Sequence, residues 1–178
     1  EDYEVGCRYN IEVFSPLDSK GVWTEAVKDP DLVGVPYYKG NAMVIEKLKL
    51  IYPSWEQDPN LIIKPYFMDM VSVLKASDIV ISRAGSLSLS EIAASGAAPI
   101  LIPYPHAAAN HQRINAKYFL EMGACVYLED KDLEPNKLRQ ILHTILENPI
   151  KMSYLKQNSS YLSKINATEQ IVELLKKF

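Results

Sequence analysis

Asp78-Ile79-Val80-Ile81-Ser82-Arg83-Ala84-Gly85-Ser86-Leu87-Ser88-Leu89-Ser90-Glu91 is the stretch on which the reading of the fold turns. Residues 78–82 are rich in β-branched side chains, the composition of a strand. Gly85 bounds that strand. Over 87–95 the period changes: Leu89, Ile92 and Ala93 fall at helical spacing, and Gly96 follows as a natural stop. A strand, a glycine turn and a helix therefore occupy fewer than twenty residues.

Working outward, the same alternation repeats. Residues 61–66 read as a strand, 70–76 as a short helix, and 98–103 as another strand. Residues 110–122 read as a helix closed by Gly123, and 125–128 as a further strand. Helical stretches over 135–147, 150–162 and 168–177 finish the chain. Strands of continuous apolar character separated by helices imply a parallel sheet covered on both faces. With right-handed crossovers this is a doubly wound, mostly parallel, Rossmann-like α/β fold. Nearer the start, 10–14 and 32–38 read as strands, 21–27 as part of a helix and 41–50 as a helix. No internal repeat or low-complexity linker interrupts the chain, so residues 1–178 are expected to form a single domain.

The length suffices for one sizeable core. A net charge of -3 argues against a nucleic-acid-binding role. Cys7 and Cys125 lie far apart without metal-ligand spacing and read as free thiols of a reducing compartment. No apolar run approaches the roughly 18–20 residues of a membrane span. The start, Glu1-Asp2-Tyr3-Glu4, is acidic rather than signal-like and lacks a methionine, as expected of a trimmed or excised cytoplasmic piece.

In doubly wound sheets ligands bind at the carboxyl ends of the strands. Those ends are Tyr66 and Phe67, residues 83–86, and residues 103–110. Free N–H groups at a helix start after Gly85 would favour a diphosphate. Glu91 lies near Ser88 on that helix, where a carboxylate can accept from both hydroxyls of a ribose diol. The same Ser88-x-x-Glu91 spacing also fits a capping box, and the two readings are not exclusive. Asn110 can cap the helix that carries His111 and Gln112, whose side chains suit sugar hydroxyls or phosphate. From spacing alone, a polar loop without a role is the readier reading. Phe67 and Met70 could wall a base pocket or pack in a core. Lys64 and Arg83 are either solvated or help neutralise a diphosphate. There is no nucleophile elbow, Walker loop or dinucleotide fingerprint.

Residues 78–96, then Pro99-Ile100-Leu101-Ile102-Pro103-Tyr104-Pro105, then Asn110-His111-Gln112-Arg113-Ile114-Asn115-Ala116, resemble the MurG family. These are GT-B-fold transferases that move N-acetylglucosamine from UDP-GlcNAc to a lipid-linked muramyl-peptide acceptor. The resemblance is dense over about 60–132. It implies one half of a GT-B architecture, the donor-binding half of an inverting transferase, with helices over 135–178 completing it. Phe67 would meet the uracil through its backbone. Arg83 and Gly85 would mark the strand-end turn, and Leu87 and Ser88 would lie against the nucleotide and its diphosphate. Glu91 would bind the ribose, His111 and Gln112 the donor sugar, and Asn115 would support that wall. No metal or other cofactor is expected, because N–H groups and helix dipoles carry the phosphate charge.

The resemblance also implies a partner. The acceptor site and general base of GT-B enzymes lie in an N-terminal domain that these residues do not supply. That domain or subunit would bring the lipid-linked acceptor and the inner face of the membrane. A two-subunit eukaryotic N-acetylglucosaminyltransferase of dolichol-linked glycan synthesis, which this domain also resembles, is split at that place. At the front the pattern departs. The family's glycine-rich Gly-Gly-Ser-x-Gly-Ala loop would fall on residues 15–20, which hold Pro16 and Asp18 and no glycine. A remodelled half-domain that has lost donor binding is the alternative reading.

Overall fold

The computed structural model describes residues 17–176, without the side chains of Trp55 and Glu56. The expected strand over 10–14, the front of the 15–20 loop and Cys7 lie outside the described residues. The chain divides into two compact units, Glu1–Met68 and Asp69–Phe178.

The described part of the first unit is built around one helix, α1 (Tyr37–Ile51). Leu17 bridges Trp23 and Val22 bridges Pro36, both antiparallel, and a short 3-10 turn covers Glu25–Val27. The helix expected over 21–27 is thus a single turn, capped by Thr24. The strand expected over 32–38 does not form. Gly34, at φ +82°, turns the chain, and Tyr37 already starts α1. The strand expected over 61–66 is also absent. Leu61, Ile62 and Tyr66 stay exposed and pair with no strand among the described residues, and Pro65 removes one donor. An apolar run becomes a strand only where another edge meets it.

The second unit holds the sheet. Strands β1 (Ile79–Ser82), β2 (Ala98–Leu101) and β3 (Val126–Tyr127) run parallel in the order β1-β2-β3. Helix α2 (Met70–Ala76) precedes β1, α3 (Ser86–Ser95) links β1 to β2, and α4 (His111–Glu121) links β2 to β3. Three helices follow: α5 (Pro135–Leu146), α6 (Pro149–Tyr161) and α7 (Ala167–Leu175). None of the described helices is long and apolar enough to cross a membrane.

Alternation along β2 sends its side chains to two separate cores. Leu101 joins Leu89 and Ala93 of α3 with Ala116 and Phe119 of α4. Ala98 and Ile100 face the other way, onto Ile145 of α5 and Leu155 of α6. All four β2 residues are buried, as a strand covered on both faces requires. This is the doubly wound, parallel arrangement expected from the sequence. Gly96 and Gly123 adopt the left-handed conformation that ends α3 and α4, at φ +77° and +63°. Cys125 is a free thiol in the first of these cores, and burial pushes its pKa up to about 12.

Candidate functional site

The site lies where β1 and β2 end, within the second unit. Gly85 occupies the N-cap position of α3 with an extended backbone and no side chain to cap it. The first helical bond runs from Leu89 N–H to Gly85 C=O at 3.0 Å. The amides of Ser86, Leu87 and Ser88 therefore precede the first acceptor the helix offers. Ser88 stands two positions into the helix, not at its cap, so the capping box is not formed. Its spacing to Glu91 instead puts both on one flank of α3. Glu91 is exposed and Ser88 half-buried, and Glu91 forms no ion pair among the described residues. Leu87 is 72% exposed beside the open amides. An uncapped helix start presents partial positive charge, which suits an anion.

The turn that delivers this helix start is held by α4. Ala84, completely buried, donates its N–H to Gln112 Oε1 at 3.2 Å, and its carbonyl accepts from Asn115 Nδ2 at 3.1 Å. Gln112 Oε1 also accepts from Tyr104 N–H at 3.0 Å. Two backbone donors converge on that atom, so it must be the amide oxygen, and the NH2 group points elsewhere. The oxygen of Gln112 thus links the loop after β1 to the loop after β2. Asn110 does start α4, but it sits at φ +56° and makes no side-chain cap. Ala109 before it is also left-handed, at φ +48°. Two such non-glycine residues in succession are strained, as is common beside functional loops. His111 follows, exposed, with Nδ1 2.7 Å from the Ala108 carbonyl. A carbonyl only accepts, so Nδ1 carries hydrogen and Nε2 is left outward.

Arg83 is already engaged. Its Nη1 donates to the carbonyls of Ile102 and Pro103 at 3.2 and 3.3 Å and to Asp130 at 2.5 Å, and the guanidinium lies 5.7 Å from the Tyr104 ring centroid. It therefore ties strand ends together at the turn after β1, with the guanidinium still partly exposed. Asp130 carries no signal in the sequence that marks it for this site. It lies in an unremarkable acidic turn, and nothing local points to Arg83. Close by, Glu129 accepts from Tyr127 Oη at 2.5 Å and from Arg113 Nη2 at 3.1 Å. These hydrogen bonds, Tyr127 first, hold the Glu129 carboxyl below its usual pKa.

A groove of about 420 Å³ runs between α3 and α4, lined among others by Ser86, Ser90, Ile114, Asn115 and Tyr118. Ser86 and Ser90 are one turn apart on α3, on the flank opposite Ser88 and Glu91. The groove and the Ser88–Glu91 flank thus share only the helix start. Met70 opens α2, which packs on α3, and is itself exposed.

Phe67 belongs to the first unit, where Lys64 Nζ stands 5.7 Å from its ring centroid. In that unit Asp18 accepts from the backbone N–H groups of Lys20 and Val22 at 2.8 and 2.9 Å, which lowers its pKa. The carboxylate thus turns back on its own loop, and those two amides are already satisfied.

Residues 38–175 match the glycosyltransferase family 28 C-terminal domain, a span that begins after the 15–20 loop. The chain is 39% identical over 120 residues to the UDP-N-acetylglucosamine--N-acetylmuramyl-(pentapeptide) pyrophosphoryl-undecaprenol N-acetylglucosamine transferase of Acetivibrio thermocellus. That alignment covers 67% of this chain and 32% of the relative. With the protein of the same name from Thermoanaerobacter sp. it is 41% identical over 133 residues, covering 75% and 36%. The crystal structure of Acinetobacter baumannii MurG superposes with a TM-score of 0.60 at 30% identity, covering 66% of this chain and 34% of that one. The chain thus spans about a third of the length of the curated relatives it matches.

Proposed function

The chain belongs to glycosyltransferase family 28 through its C-terminal domain, and we propose that it is the half that binds the nucleotide-sugar donor, UDP-N-acetylglucosamine, for an inverting transfer completed by an acceptor-binding domain or subunit. One observation carries the reading: the uncapped start of α3, with the Ser88–Glu91 flank left open beside it. The names of the relatives point toward this donor and toward a lipid-linked acceptor.

On this reading the amides of Ser86, Leu87 and Ser88 receive the diphosphate, and Glu91 accepts from the ribose hydroxyls. His111 Nε2 and the free NH2 of Gln112 face the sugar. As the bond to the sugar breaks, negative charge grows on the departing UDP. Fixed N–H dipoles that already point at it stabilise that charge without reorganising. A base on the acceptor half takes the proton of the attacking hydroxyl. Phosphate charge is met here by backbone donors and needs no metal. Helix α7 leaves Ile171, Leu174 and Leu175 exposed, an apolar stripe that suits a covering partner surface.

The test is calorimetric titration of the chain with UDP and UDP-N-acetylglucosamine, with and without a chelator. Saturable binding that survives chelation is expected. No heat at millimolar ligand would instead leave a remodelled half-domain that has lost its donor.

A further inference from the structure

Two amide side chains of α4 grip both main-chain polar groups of one buried residue, Ala84, just before the helix start. The Ala84 N–H is taken by Gln112 Oε1 and its C=O by Asn115 Nδ2. Residue 84 thus has no main-chain polar group left over, and it is completely buried. Gln112 adds a third anchor, the Tyr104 N–H. The carbonyl of Gly85, one residue on, accepts the first bond of α3. The direction of the Ser86, Leu87 and Ser88 amides is therefore set through the two peptide planes that flank Ala84.

We propose that Gln112 and Asn115 are positioning residues that act through the Ala84 backbone, fixing the peptides on both sides of it and so aiming the first amides of α3, such that the site discriminates a nucleoside diphosphate from a bare nucleoside. This rests on the reading of that helix start as the diphosphate site. It assigns Gln112 and Asn115 work that needs no contact with the ligand. Gln112 uses its oxygen on the backbone, and only its NH2 remains for a sugar. An N–H group whose angle to an oxyanion falls below about 120° is steeply weakened as a hydrogen bond. Loosening the Ala84 backbone should thus weaken phosphate binding while leaving contacts made by ribose and base.

The experiment compares uridine with UDP on the whole chain by calorimetry, for the wild type, Asn115→Ala and Gln112→Met, with melting curves alongside. The wild type is expected to favour UDP over uridine. Each variant is expected to lose roughly 10-fold in UDP affinity, about one charge-assisted hydrogen bond, with uridine affinity within about 2-fold. Gln112→Met keeps the side-chain length and serves if Asn115→Ala does not fold. Unchanged UDP-to-uridine ratios in variants of a UDP-binding wild type would overturn the positioning role and leave the donor-site reading standing. Equal losses for both ligands together with a lower melting temperature would reduce the two amides to structural parts and also overturn it. A wild type with no preference for UDP would sink the donor-site reading itself.

Discussion

Arg83 donates to Asp130, a residue 47 positions further along the chain, and the same nitrogen reaches the carbonyls of Ile102 and Pro103. The contact joins the turn after β1, the loop after β2 and the segment after β3. Both side chains are partly exposed, 47% and 32%, so solvent screens the ion pair. A double-mutant cycle of Arg83→Ala and Asp130→Ala should therefore give a coupling of roughly 0.5–1 kcal/mol in chemical denaturation. A coupling above roughly 3 kcal/mol would mean that the pair is far better shielded than described.

The two glycines Gly85 and Gly40 should respond oppositely to alanine. A Cβ on Gly85 meets only Ser88 Oγ at 3.9 Å, an ordinary contact, and its φ is negative. Gly85→Ala should melt like the wild type yet bind UDP less well, because the added methyl occupies space a phosphate needs. A Cβ on Gly40 would lie 2.2 Å from Trp23 Nε1. Alanine favours a helix by ~1 kcal/mol over glycine, but displacing an indole costs more, so Gly40→Ala should destabilise by about 1–3 kcal/mol. Fluorescence-detected unfolding reads both, and a stabilised Gly40→Ala would contradict the packing.

Glu129 gives the acid limb of the stability curve a testable origin. Its carboxyl is held below the usual pKa by the Tyr127 hydroxyl and then by Arg113. A depressed folded-state pKa means that the unfolded chain takes up the proton first. The stabilisation is thus present above about pH 4.3, the unfolded value, and is lost as pH falls through the folded value. Glu129→Gln should be less stable at pH 7 and show a shallower loss between about pH 5 and 3. Parallel curves for the two proteins over that range would show that Glu129 is not responsible.

Glu91 has no partner of its own among the described residues, so its removal should be silent for folding. Glu91→Ala should melt like the wild type and bind UDP about 10-fold more weakly. Against 2′,3′-dideoxy-UDP, which lacks the diol, the variant and the wild type should be equal. A full loss retained with the dideoxy ligand would move Glu91 away from the ribose.

The sequence by itself determined the βαβ unit that starts at Asp78, the helix over 70–76, the helix read over 110–122 that forms over 111–121, and the glycine stops at 96 and 123. These depend on local periodicity and on backbone angles that only nearby residues decide. It also held the motifs that put Gly85, Ser88 and Glu91 at the start of one helix and His111, Gln112 and Asn115 at the start of another. Only the tertiary structure decided that Ser88 is not a cap, that Arg83 pairs with Asp130, and that Gln112 and Asn115 hold Ala84 from 28 and 31 residues away. It also left the apolar run over 61–66 unpaired. A side-chain hydrogen bond or a strand pairing depends on which distant backbone arrives opposite, and no local pattern encodes that.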